Sequence, residues 1–472
     1  MADQDYHAVF VGAGLISLTA AAALAKRGKR VLLLDTTRPH ESDIHDAGFD
    51  FSSGPLLYLG YEKWGAMEGY FSQLAYPIPS LQKKGFSFQK VSPLLQLVSN
   101  KHRLSLFSNE EAYFDELKRE FPKQAQKLKT LFDQMTREAA YFYPSLGQFQ
   151  QLEVEGMAER LNQWKKQLDI SQAILQQQKK KAFELIEPLH FKPNVLAYFK
   201  LLFLFAFKKP MSEVSAFEMI QLFSGFQRGG VQMQDGDATL QHFFQGLIQT
   251  LGGKILKTPK ISKYEVENKR VVQINLCDGS TLKADHFVVA APPHRKTLNF
   301  YFSMPTKLIP SPMRKALIMT WGKKPPKDFE DLIVLRLNQN TAPETAAKTP
   351  APSLIAVSIL LCENASALDV DHEKLRDSLL KRLHWLIPFS ESEIKTLPSL
   401  EHHGETEGEI SLPLGDITAG TKKEIVKGIL STLQPKGLKN VYWVKGHTSD
   451  YLGQGSAFLA GHHLAEFIEK SK

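Results

Sequence analysis

The apolar and polar positions of this chain fall into two regimes, and the first forty residues carry the sharper pattern. Residues 7–12 (HAVFVG) form a short apolar run rich in β-branched and aromatic side chains, which predicts a buried parallel strand. An alanine-rich stretch over 15–26 predicts a helix that ends near Gly28, where a left-handed cap falls. Residues 31–35 (VLLLD) predict a second buried strand, ending in the carboxylate of Asp35. Between the first strand and the helix stands Gly12-Ala13-Gly14-Leu15-Ile16-Ser17. Strand, glycine turn, helix, strand and terminal acid within about thirty residues predict a βαβ nucleotide-binding unit.

From about residue 76 to 221 the pattern changes. The chain becomes lysine- and glutamine-rich and reads as mostly helical, with amphipathic spacing over 110–137. Within it, residues 195–207 (VLAYFKLLFLFAF) are apolar at twelve of thirteen positions, Lys200 being the exception, and Lys192, Lys208 and Lys209 flank them. Two settings suit such a segment: a core helix with solvated ends, or a peripheral contact with anionic lipid in which the lysine stems snorkel. Phe199, Phe203, Phe205 and Phe207 correspondingly serve as core packing or as the lining of an apolar tunnel. After Gly236 the α/β pattern returns. A helix over 240–251 closes at Gly252-Gly253, and strands follow over 254–256, 263–266 and 271–276. A hairpin turn at Asp278-Gly279 leads to a buried strand over 287–291, stopped by Pro292-Pro293. After a mixed region and a loop over 341–353, the chain closes with a strand over 441–444 and a helix over 457–470. This order predicts an α/β nucleotide-binding domain assembled from 1–75, 225–300 and 405–472. A substrate-binding domain of 76–224 and 301–404 is inserted into it.

Composition narrows the class. The 472 residues suffice for two or three domains, and 43% hydrophobic with 23% charged residues excludes disordered, collagen-like and coiled-coil chains. Lysine and arginine number 58 against 50 aspartate and glutamate, a net charge of +8. Without arginine clusters or interleaved aromatics, this surplus is assigned to solvated faces, and no nucleic-acid partner is expected. Two cysteines, Cys277 and Cys362, build no disulfide framework, which fits a reducing compartment. With no signal-peptide pattern and no apolar run of spanning length, the expected location is cytoplasmic, or peripheral on a membrane surface. No HExxH, paired CxxC, GKS/T or GxSxG motif is present. The pairs His402-His403 and His462-His463 are adjacent, which on a helix turns the rings about 100° apart, so no metal site is expected.

The chemistry therefore concentrates at the glycine turn. Gly12 permits the tight backbone, and Gly14 lets a pyrophosphate approach the amide N–H groups at the helix N-terminus. Ser17 stands where a third glycine is usual and keeps that position small. Asp35 is placed to accept hydrogen bonds from a ribose.

On these residues the chain resembles the FAD-dependent oxidoreductases of the flavin amine oxidase and phytoene (carotenoid) desaturase type. The resemblance continues at Gly48-Phe49-Asp50-Phe51-Ser52-Ser53-Gly54-Pro55, similar to that family's segment near the flavin. Asp235-Gly236-Asp237-Ala238-Thr239-Leu240 with Leu251-Gly252-Gly253 is similar to its G-G-M-x-x-L…L-G-G block. Thr258-Pro259-Lys260-Ile261 resembles the strand whose backbone meets the adenine, and Ser456-Ala457-Phe458-Leu459-Ala460-Gly461 resembles the helix start beneath the isoalloxazine. These elements occur in family order over nearly the whole chain. Three positions depart from it. No G-G-R follows Asp35, Asp235 replaces the first glycine of G-G-M, and Lys445-Gly446-His447-Thr448 lacks the acid of G-[DE]-x-T, with Asp450 the nearest substitute.

The resemblance implies a Rossmann-like FAD/NAD(P)-binding domain of the glutathione-reductase type with a mixed helical and β substrate domain inserted. It implies FAD held by Gly12, Gly14, Ser17, Asp35, Ser53, Gly54, Pro55, Lys260, Gly446, Ser456 and Ala457. The implied reaction is oxidation of a small lipophilic substrate, isoprenoid or carotenoid-like, by hydride transfer to FAD; it names no acid–base residue. Two alternatives share the fold: a binding protein of the GDI/escort kind that has lost FAD, and an amine oxidase, for which Trp443 and Tyr451 are the aromatic candidates.

Overall fold

The computed structural model describes residues 5–36, 43–44, 51–52, 59, 66–76, 78–83, 86, 88–147, 176–177, 179–233, 236–291, 297–322, 324–338, 352–362, 365, 370–398, 423–424, 433–434, 438–445 and 455–471. Two large sheets organise them. The first has a parallel core in the order Val441–Lys445, Thr281–Ala291, Asp5–Val11, Val31–Asp35, Lys254–Lys257, extended at one edge by Leu433–Gln434 and Lys423–Glu424. Strands from three distant stretches of sequence thus share one sheet. Val9 pairs with Phe287 on one side and Leu32 on the other.

Alternation along these strands sorts the two faces. Ala8, Phe10, Val31, Leu33, Val288 and Tyr442 pack with the helices Leu15–Lys26, Gly236–Thr250 and Gly455–Lys470. Val9, Leu32, Leu34, Phe287 and Val289 pack with Val271 and Ile274 of a three-stranded antiparallel meander. That meander comprises Ile261–Glu267, Arg270–Leu276 and the beginning of Thr281–Ala291, its second turn made at Gly279 with φ +84°.

The second sheet runs in the order Lys395–Thr396, Thr297–Met304, Ser353–Leu361, Phe329–Asn338, Ala316–Met319, Leu95–Val98, Arg103–Leu106. All neighbours are antiparallel except Ala316–Met319 with Leu95–Val98. Leu375, Leu379, Leu383 and Leu386 of the helix His372–Leu386 cover one face. The other face, through Leu95, Leu97, Ala316, Ile318 and Leu360, belongs to the core of the helical region.

Two details differ from the sequence expectation. The stretch read as mostly helical contributes three strands, Phe88–Lys90, Leu95–Val98 and Arg103–Leu106. Each spans only three or four residues, too short for a period-two pattern to stand out, and partners far along the chain complete them: Phe88–Lys90 pairs with Val231–Met233. The amphipathic run over 110–137 is two helices, Glu110–Glu120 and Ala125–Gly147. The break falls at Phe121-Pro122, because a proline disfavours helical backbone at the residue before it.

The apolar segment is a core helix, Pro193–Phe207. It buries Val195, Tyr198, Phe199, Leu201, Leu202, Phe203, Leu204 and Phe207, with Phe205 half-buried and Lys200 exposed. Its Tyr198 hydroxyl lies 2.6 Å from that of Tyr113, so two phenols buried from water satisfy each other. Among the described residues no helix is long and apolar enough to cross a membrane.

Candidate functional site

The parallel strands end together at one edge, and there the Asp5–Val11 strand gives way to the glycine turn. Gly12 has φ +100°, and a Cβ there would stand 2.9 Å from the Cβ of Ala290, so only glycine lets the turn pass the neighbouring strand. Its N–H donates to the Leu34 carbonyl at 2.9 Å. Gly14 is different. It is exposed, has an ordinary φ of −62°, and no atom lies within 4 Å of where its Cβ would be. As the N-cap of Leu15–Lys26 it brings no side-chain capping bond, and the first turn holds no acidic residue. The first N–H groups of that helix are therefore left to an external acceptor, and the helix dipole favours a negative one. Ser17, in the same first turn, is 1% exposed, and its Oγ has no hydrogen-bond partner among the described residues.

Asp35 ends the adjacent strand, half-buried, and pairs in register with Lys257. Its carboxylate Oδ2 accepts a 2.9 Å hydrogen bond from Nε2 of Gln245 on the helix Gly236–Thr250. Its carbonyl accepts from the N–H of Thr258 at 2.7 Å. Thr258 has φ +51°, a left-handed bend that carries Pro259 and Lys260 past the end of the Val31–Asp35 strand. Lys260 itself is exposed, and its carbonyl accepts from the Cys277 N–H at 2.8 Å, anchoring this segment to the meander.

The helix Gly455–Lys470 reaches the same region. Ala457 is buried, and its carbonyl lies 3.1 Å from Thr19 Oγ1, which is also 2.8 Å from the Leu15 carbonyl. Four residues on, a Cβ at Gly461 would land on the Thr19 side chain and 2.9 Å from the Ala20 nitrogen. The Tyr70 hydroxyl donates to the Thr19 carbonyl at 2.5 Å, and burial raises its pKa well above the ordinary phenol value.

The structure thus gathers Gly12, Gly14, Ser17, Asp35 and Ala457 around the N-terminus of one helix, with Lys260 on the segment leading away from Asp35. Of Ser456 only its place in the helix Gly455–Lys470 is described. Ser53, Gly54, Pro55, Gly446 and Tyr451 lie outside the described residues. Trp443 packs, half-buried, on the meander face of the sheet, opposite the face covered by Leu15–Lys26. Gln245, Thr19 and Tyr70 brace this region through contacts that no motif announced; each contact joins residues far apart in sequence. Among the described residues no group of three or more His, Cys, Asp and Glu is placed to hold a metal.

Two histidines and a glutamate are also strongly shifted. His286, paired with Ala8 in the middle of its strand, is pushed down to about 4, chiefly by burial and then by neighbouring His7. His463 is lowered to about 4 by burial and then by His462. The hydrogen bond from His462, at 3.2 Å, takes Glu466 down to about 2.

Comparison with known proteins agrees with this fold. The family model of the NAD(P)-binding Rossmann-like domain matches residues 11–74, the span that holds the glycine turn and Asp35. No curated protein matches the chain in sequence. Among solved structures, a putrescine oxidase with putrescine bound is similar over 99% of each chain, at 11% identity and a TM-score of 0.56. Cyclohexylamine oxidase from Brevibacterium oxydans is similar over 99% of each chain, at 14% identity and a TM-score of 0.56. An oxidoreductase from Methanosarcina mazei is similar over 95% of this chain and 99% of its own, at 15% identity and 0.56. The chain has an NAD(P)-binding Rossmann-like domain over 11–74 and shares its overall fold with these oxidases and this oxidoreductase.

Proposed function

We propose that this protein is a flavin-dependent oxidoreductase that binds FAD at the Gly12–Gly14 turn and oxidises a small, largely apolar substrate. The observation that carries the reading is the uncapped helix N-terminus at Gly14, open to solvent and set beside the Asp35 carboxylate. A dinucleotide fits both features: its pyrophosphate takes the N–H groups and helix dipole at Gly14, and its adenosine ribose donates to Asp35. FAD, when bound, supplies a two-electron acceptor for hydride removed from the substrate.

The chain's own residues supply placement. Gly12 holds the turn against Ala290, Gln245 orients the Asp35 carboxylate, and Ala457 and Thr19 tie the last helix to the first. Phe199, Phe203 and Phe223 pack the core of the helical region, which braces the nucleotide domain. The test is direct. Purified protein, as isolated or after incubation with FAD, should retain flavin absorbance near about 450 nm after desalting. A protein that stays colourless after saturating FAD defeats the reading.

A further inference from the structure

Among the described residues four large apolar side chains are exposed, and two of them, Trp385 and Phe389, stand at the same end of the helix His372–Leu386. Phe389 is 96% exposed, so its ring touches almost nothing of its own chain and projects from the surface. Its φ of +66° lies in the left-handed region, where an aromatic residue is strained and glycine or asparagine is at ease. The surrounding turn is firmly anchored. Ile387 and Ser390, on either side of Pro388-Phe389, are both 0% exposed. The Ile387 N–H donates to the Leu383 carbonyl at 2.7 Å, and the Ser390 hydroxyl donates to the Ile387 carbonyl at 2.6 Å. The Ser390 carbonyl accepts from the N–H groups of Glu393 and Ile394 at 3.0 and 3.2 Å. The turn is thus pinned at both ends with Phe389 directed outward.

Trp385, in the last turn of the helix, is 45% exposed. The buried guanidinium of Arg382 lies 3.8 Å from its ring centroid, and Arg382 Nε donates to the Thr320 carbonyl at 3.1 Å. This stacking holds the indole on a rigid base. At 150–250 Å² for a whole aromatic side chain, the two rings leave about 300 Å² of apolar surface in water. Exposure and backbone strain both weaken the fold, and no described contact offsets either.

The patch itself selects a lipid surface over a protein partner. Its area falls well short of the roughly 800 Å² that each side of a stable protein interface buries. A ring projecting from a convex turn suits a fluid medium that closes around it, and tryptophan and phenylalanine are anchors of the membrane–water boundary. The rim carries both signs of charge, Lys381 and Lys395 with Glu391 and Glu393, all exposed. That balance matches a zwitterionic headgroup, whose phosphate attracts the lysines and whose ammonium attracts the glutamates; an anionic surface would repel Glu391 and Glu393. We propose that the Trp385–Phe389 turn inserts into the interface of a zwitterionic lipid membrane and holds the protein there peripherally. The lipid contact considered for residues 195–207, which form a core helix, thus falls on a different element.

The test sediments full-length protein with phosphatidylcholine vesicles at about 0.1 M and about 1 M salt. Wild type should pellet equally at both, since the contact is apolar. Phe389→Asn should weaken the partitioning about tenfold while melting at the wild-type temperature or above, which separates lost binding from lost fold. Phe389→Leu keeps an apolar side chain on the turn and should stay within about threefold of wild type. Wild type that remains in the supernatant overturns the proposal, as does a Phe389→Asn protein that pellets like wild type. Binding confined to vesicles containing phosphatidylserine, and abolished by salt, overturns it too, because that places the contact on lysines. So does self-association of the lipid-free protein that Phe389→Asn abolishes, which makes a second copy of the chain the occupant.

Discussion

Gly14→Val separates the proposed ligand binding from folding. At φ −62° and ψ 155° the backbone of Gly14 is acceptable to any residue, and the space where a side chain would go is empty to 4 Å. Valine is a poor N-cap, so the expected loss of stability is about 0.5–1 kcal/mol. The binding loss is much larger. If FAD binds as proposed, the valine methyl groups would occupy the volume that a pyrophosphate oxygen enters to reach the first N–H groups. Charge-assisted hydrogen bonds contribute about 1.5–3 kcal/mol each, so excluding two of them removes about 3 kcal/mol or more. At 1.4 kcal/mol per decade, that is about a hundredfold or more in Kd.

Gly12→Ala is the control with the opposite signature. Its φ of +100° and the 2.9 Å approach to Ala290 place the cost in the fold itself, about 2–5 kcal/mol from backbone strain and overpacking. Titrating flavin-free protein with FAD by fluorescence quenching, alongside thermal melts, reads both quantities. A Gly14→Val protein that folds normally and binds FAD within about threefold of wild type refutes the assignment of this turn to the pyrophosphate.

Four further outcomes follow from the same structure. Gly461→Ala should lower the melting temperature by several degrees, because the added Cβ collides with Thr19 and the Ala20 backbone; an unchanged melt contradicts the helix packing. In a double-mutant cycle, Asp35→Asn and Gln245→Ala should each weaken FAD binding yet combine to less than the sum, since the 2.9 Å contact makes them one unit; strict additivity removes Gln245 from the site. Stability should fall on acidification. His286 and His463, held down to about 4 in the fold against 6.5 when unfolded, contribute their full stability above 6.5 and lose it as pH drops toward 4. A melting temperature constant across that window contradicts their burial as neutral rings. Phe389→Asn should stabilise by about 1 kcal/mol, measured by denaturant unfolding, because a 96% exposed phenylalanine at φ +66° has strain and no packing to lose.

The nucleotide unit was legible in the sequence because its determinants are local. Apolar runs, three glycines and a terminal acid fall within the thirty-one residues of Asp5–Asp35, and each element needs only its neighbours to declare itself. The supports of that unit were not legible. Gln245 meets Asp35 across 210 positions, Tyr70 meets Thr19 across 51, and Thr19 meets Ala457 across 438. None of these pairs leaves a periodic trace, so only the folded chain shows them. The segment at 195–207 failed to announce its place for a different reason. Hydrophobicity on every side of a helix marks burial but not the medium that buries it, and only the packing of Phe199 against Phe191 and Phe223 decides for protein.

The motif positions of this chain divide by what requires them. Gly12 is required by Ala290, and Gly461 by Thr19 and Ala20, so both would be needed in a protein of this fold that bound nothing. The helix Leu15–Lys26 is fixed on every side: by the sheet beneath it, by Gly461 and Ala457 of the last helix, by Gly236–Thr250, and by the Tyr70 hydroxyl. Its N-terminus is thus held in place with its N–H groups directed outward. Gly14 alone, among these glycines, answers to no internal contact: the φ is ordinary, the space is open, and serine or aspartate would cap the helix better. A side chain is dispensable there, and harmful, only to something that approaches from outside. That asymmetry, rather than the glycine pattern as a whole, is the physical argument for a phosphate-bearing ligand at this turn.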